Sequence, residues 1–231
     1  TFGIFRFCLG ALALLPVIWI SGAINKRRPE PREIAPFTDK TLWLGALLGG
    51  VSNFVAGSLQ QVGLVYTTAG KAGFITSMSI VIVPLFLLFM RKKVGRMTWI
   101  GIAMATTGLY LLCITESFSL QLGDSLVLGC AVAYSFQILI IDYFAERVDA
   151  VKLSFMMFML AGILSGITAL FTETIELQAI LDCAVPILYV AILEVSVAFT
   201  LQVVGQKYTS PALAAIIMSP GATSDGAYVD I

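Results

Sequence analysis

The chain has 231 residues, of which 58% are hydrophobic and 12% charged, with zero formal net charge and a mean hydropathy of +0.94. A soluble domain carries about 25% charged residues to meet water, so this composition excludes a water-soluble globule and assigns lipid as the main solvent. With no His, balanced charge and four cysteines far apart (Cys8, Cys113, Cys130, Cys183), the chain offers no metal site, no redox motif, no bound cofactor and no face for nucleic acid.

A helix that crosses a bilayer needs about 20 mostly apolar residues, and seven stretches qualify in chain order. Thr1 opens directly into the first, 2–22, without a signal peptide, which reads as a start partway through a longer protein. A loop at 23–40 holds Pro29, Pro31 and Pro36 among mixed charges. The second span, 41–66, carries Gly45-x-x-x-Gly49, then Ser52, Asn53, Gln60 and Gln61. The third, 72–90, contains Pro84, and the fourth covers 97–114. Tyr134 and Gln137 lie mid-way in the fifth, 122–144, with Asp142 and Tyr143 near its end. The sixth, 153–172, holds Gly162-x-x-x-Gly166; the seventh, 184–206, holds Pro186, Glu194, Gln202 and Gln206. An eighth begins near Pro211 and is expected to fail after Ser219, at Pro220-Gly221. Glycine pairs of this spacing let helix backbones approach closely, within one bundle or in a homodimer.

Loops after the odd-numbered spans carry twelve of the 14 Lys and Arg residues; only Arg6 and Lys71 fall on the other side. The positive-inside rule makes the first face cytoplasmic and places Thr1 on the extracytoplasmic side of a bacterial inner membrane. Arg6 and Lys71 are expected to snorkel to the interface.

Residues 59–78, LQQVGLVYTTAGKAGFITSM, return 142 positions later as 201–220, LQVVGQKYTSPALAAIIMSP, with nine of twenty positions identical. Five spans separate the copies, an odd number, so the copies cross the membrane in opposite directions. Inverted repeats of this kind supply two near-equal states, one open to each side.

Glu194 is the strongest polar candidate. An ionised carboxylate at mid-span costs roughly 2.5–3.5 kcal/mol, so it faces the bundle interior or is protonated. It is either a proton-coupling or substrate-amine site, or a hydrogen-bonded strut between helices. The repeat pairs Glu194 with Ser52, beside Asn53, and Gln202 with Gln60. Asn53 and Gln60 are seven residues apart and share a helical face. Asn53, Gln60, Gln137, Glu194 and Gln202 are therefore the candidate lining of a shared polar cavity. Gln61 and Gln206 are expected to serve packing through interhelical hydrogen bonds. No P-loop, G-x-S-x-G or H-E-x-x-H is present, and no enzyme reading emerges.

Several of these stretches together resemble the EamA-type branch of the drug/metabolite transporter superfamily. They are Arg6–Phe7, LQQVGLVYTTAGKAGFITSMSIVIVPL at 59–85, RKKVGRMTWIGIAMATTGLYLL at 91–112, GDSLVLGCAVAYSFQILIIDYF at 123–144 and VAFTLQVVGQKYTSPALAAIIMS at 197–219. The resemblance implies an all-α polytopic membrane protein built as an inverted repeat of five-helix halves. This chain would run from the second family helix into the ninth, incomplete at both ends. Residues 1–114 would form the first half, 122–219 the second, and 220–231 a tail outside the family pattern. The implied function is secondary transport of a small organic solute (a metabolite, amino acid or drug-like compound), often export and often proton-coupled. The alternative is a truncated, non-transporting membrane protein or assembly partner.

Overall fold

A computed structural model describes residues 2–26, 37–92, 94–113, 122–172, 188–206 and 208–224. Within them the secondary structure is helical, without strands: α1 (Phe2–Lys26), α2 (Lys40–Leu64), α3 (Ala69–Ser77), α4 (Ser79–Phe89), α5 (Arg96–Cys113), α6 (Leu122–Ala145), α7 (Ala150–Thr172), a π-helical segment (Val190–Ala198), α8 (Phe199–Gln206) and α9 (Pro211–Ser224). Five stretches are long and apolar enough to cross a membrane: Gly3–Ile20, Lys40–Leu64, Gly70–Phe89, Leu122–Ala145 and Ala150–Phe171. The protein is thus a polytopic helical membrane protein.

α2 shows why these helices associate. Its buried residues are Leu42, Gly45, Ala46, Gly49, Gly50, Asn53, Ala56, Gln60 and Gly63, one face built on a seven-residue repeat, while Trp43, Leu44, Leu47, Leu48, Val51, Val55 and Val62 point outward. The inner face is small or polar and the outer face is large and apolar, the reverse of a soluble helix. Lipid tails are as apolar as leucine, so hydrophobicity drives no helix pairing here; close packing and internal hydrogen bonds do.

The described helices fall into two compact units. The first contains residues 1–54 and 140–208. Its core joins Leu42 and Ala46 of α2 to Ile141, Phe144, Leu153, Met157 and Val203; a second cluster joins Phe7, Ala11 and Leu14 of α1 to Phe158, Ala161 and Val195. Glycine makes room for both: a Cβ on Gly49 would lie 2.5 Å from Met157 Cε, and one on Gly162 would lie 2.7 Å from Cys8 Sγ. Gly45 likewise accommodates Phe144, so these glycines pack helices within the unit. The second unit contains residues 55–139 and 209–231. There Ala212 and Ala215 of α9 pack on Val83 and Leu87 of α4 and on Ile138 of α6.

The structure departs from the expected spans in four places. The third span is two helices meeting at Met78, whose N–H reaches back to Ile75 O in a tight turn of 3.0 Å. α5 covers the expected fourth span but is not among the five spanning stretches; Arg96, Thr98, Thr106 and Thr107 dilute its 18 residues. The seventh span is wound as a π-helix before α8, and residues 184–187 with Pro186 lie outside the described residues. The last helix runs past Ser219, through Pro220 and Gly221 to Ser224, yet at 14 residues it is not among the spanning stretches, in keeping with the expected failure of an eighth span. A proline there removes one N–H, and its fixed φ is compatible with helix.

Candidate functional site

Five sequence-derived candidates divide between the units. Gln60 and Gln137 belong to the second, Asn53, Glu194 and Gln202 to the first.

In the second unit, α2 and α6 present their buried faces. The Tyr134 hydroxyl donates to Gln60 Oε1 at 3.2 Å, so Tyr134 is a polar partner of the candidate Gln60. Gln137 follows one turn later on α6 at 1% exposure, and its Nε2 finds no hydrogen-bond partner among the described residues. Thr76 Oγ1 on α3 is buried in the same condition. Neighbouring hydroxyls are already engaged: Ser135 donates to Ala131 O at 2.7 Å and Ser77 to Gly73 O at 2.8 Å, both on their own helices.

In the first unit, Asn53 is 3% exposed, and its Nδ2 has no partner among the described residues. Gln202 is half-buried. Glu194 sits in the π-helical segment, a winding that is rare and frequent at functional sites; its side chain lies outside the described residues. α8 buries Thr200, Val203 and Gln206 on one face. Neither Gln206 side-chain atom, nor Thr200 Oγ1, has a partner among the described residues. The interhelical hydrogen bond expected of Gln206 is therefore not formed there. Gln61 is exposed on the outer face of α2.

Lys71 corrects another expectation. Instead of snorkelling, its ammonium lies 3.8 Å from the carboxylate of Asp124, which is 4% exposed and accepts the Thr67 hydroxyl at 2.5 Å. Asp124 passed unnoticed in the sequence. An acid in the first turn of a helix is ordinary, because it complements the helix dipole, and only the fold reveals that this one is buried.

These groups are mostly uncharged amides and hydroxyls. A buried amide N–H without a partner is costly in a low-dielectric interior, and a solute oxygen or a water can satisfy it. No cluster of His, Cys, Asp or Glu able to hold a metal occurs among the described residues.

Comparison with known proteins adds two findings. A family model described as EamA-like transporter family matches residues 1–114 and 121–220. The chain is also 33% identical over 171 residues to an "Uncharacterized transporter" of Archaeoglobus fulgidus, an alignment covering 74% of this chain and 54% of that protein. The chain spans about half the length of this curated relative.

Proposed function

Because the chain belongs to the EamA-like transporter family, we propose that it is part of a secondary transporter that exports a small organic solute by alternating access. The observation that carries this reading is that each unit buries an amide with an unmatched donor, Asn53 Nδ2 in the first and Gln137 Nε2 in the second, where Gln60 and Tyr134 also pair. Such donors suit the carboxylate or carbonyl oxygens of amino acids, other metabolites and drug-like compounds. The inverted repeat supports the mechanism: two halves, 1–114 and 122–219, exchange conformations around the polar residues. In this reading the protein lies in the inner membrane with Thr1 on the extracytoplasmic side, because twelve of its 14 basic residues fall on the opposite face. A homodimer would use faces other than Gly45, Gly49 and Gly162, which are occupied within the first unit.

Glu194 is the proposed proton-coupling residue. A proton drives transport only through a difference in affinity between the two access states, and the π-helical winding around Glu194 offers an element whose geometry can differ between them. The test is counterflow in proteoliposomes preloaded with individual unlabelled amino acids. Saturable exchange of labelled solute is the expected result for a carrier; flux linear in concentration, or none, would overturn the reading. Glu194→Gln is expected to fold normally and to abolish stimulation by a pH gradient. If stimulation persists, Glu194 has no part in coupling.

A further inference from the structure

At the end of α2, Gly63 and Gly123 bring two backbones together. A Cβ on Gly123 would stand 2.6 Å from Gly63 O and 2.9 Å from Thr67 N; one on Gly63 would stand 2.6 Å from Val127 Cγ2. This crossing places the first turn of α6 under the turn that joins α2 to α3, where Tyr66 N–H bonds Gly63 O at 2.9 Å. Asp124 then meets Thr67 through one carboxylate oxygen and Lys71 through the other. Lys71 is held in the first turn of α3, where its N–H reaches the capping Thr68 hydroxyl at 3.4 Å.

Two features make this more than a structural staple. All three residues lie in the second compact unit, but Thr67 and Lys71 belong to the first sequence half and Asp124 to the second, so in the carrier reading the contact ties together two segments that alternating access separates. The repeat also reproduces only part of it. Gly63, Tyr66 and Thr67 correspond to Gly205, Tyr208 and Thr209, but Leu213 stands where the first copy has Lys71. Leu213 is also exposed, at 45%.

Resting on the carrier reading above, we propose that Thr67, Asp124 and Lys71 form an electrostatic latch closing the extracytoplasmic end of the transporter. Because Leu213 carries no charge, position 213 supplies no matching latch at the cytoplasmic end, and the resting equilibrium favours the state closed to the outside. A buried carboxylate that loses its cation is strongly disfavoured until water reaches it. Removing Lys71 therefore promotes opening, and an interaction present in one state alone sets the populations of both.

The test needs no solute. In a chain whose four native cysteines are replaced by alanine, Gln60→Cys places a thiol on the buried face of α2, one turn before Gly63. An impermeant maleimide is added outside right-side-out vesicles. With the latch intact, labelling is expected to be slow. Lys71→Met and Asp124→Asn should speed it about tenfold, as when a state of a few per cent occupancy becomes a substantial one. Thr67→Val, which removes only a hydroxyl, should give a smaller increase. The exchanged pair Lys71→Asp with Asp124→Lys should return labelling towards the parent rate. Unchanged rates in variants that melt at the parent temperature would overturn the latch, as would an exchanged pair that inserts normally but labels like the single variants. If Asp124→Asn does not insert, Thr67→Val and Lys71→Met decide alone. Counterflow is read separately, on the chain that keeps Gln60: counterflow there with unaltered reporter rates sinks the latch and leaves the carrier, and altered reporter rates without counterflow do the reverse.

Discussion

At the residue scale, burial and partnership separate side chains that look alike in the sequence. Gln60, Gln61, Gln137 and Gln206 are four glutamines in apolar helices, yet one has a tyrosine partner, one is exposed, and two are buried with unmatched groups. A buried donor left unmatched costs about 1–3 kcal/mol. Gln137→Met, which keeps the volume and removes the amide, should therefore raise stability by about 1 kcal/mol in detergent unfolding while counterflow falls. A variant that loses stability would mean that Gln137 already has a partner in the protein. The faces of Asn53 and Gln60 were legible because i and i+7 stack on one side of any helix. The partner of Asp124 was not, since Thr67 lies 57 positions away.

At the element scale, helix existence was legible and helix detail was not. Apolar runs of about 20 residues announce helices whatever packs against them. The break at Met78 and the π-helical winding at 190–198 carry no clear local signal. The end of α4 is instructive: Arg91 N–H bonds Leu88 O at 2.9 Å and Lys92 N–H bonds Leu87 O at 2.8 Å, a Schellman closure. Such closures favour glycine at the left-handed residue, but here it is Arg91, with φ of 58°. Left-handed backbone costs a residue with a Cβ roughly 1–2 kcal/mol, so Arg91→Gly should raise the melting temperature. A fall would show that the guanidinium itself stabilises this loop.

At the scale of the whole molecule, the twofold organisation has two faces. The family model matches two segments, 1–114 and 121–220, whereas packing gathers residues 1–54 with 140–208 and 55–139 with 209–231. α2 and α6 each contribute to both compact units, as expected where helices of two sequence halves interleave. Orientation is testable at this scale. Cysteine at Tyr66, in an exposed turn expected outside, should react with an impermeant thiol reagent in intact cells; cysteine at Glu146, exposed in the turn after α6, should react only after permeabilisation. The opposite pattern would invert the topology and place the Lys71–Asp124 pair on the cytoplasmic side.

Composition, hydropathy, the distribution of basic residues and the repeat by themselves determined a helical membrane protein and the family it resembles. Each is a property of the chain in one dimension, and the bilayer, by admitting few backbone solutions, turns such properties almost directly into structure. Tertiary structure alone decided that Asp124 is buried against Lys71, that Gln206 is buried without a described partner, and that glycines fill the crossings of α2 with α6 and α7. Those facts depend on atoms far apart in the chain arriving within a few ångströms of each other, and no local pattern encodes the arrival.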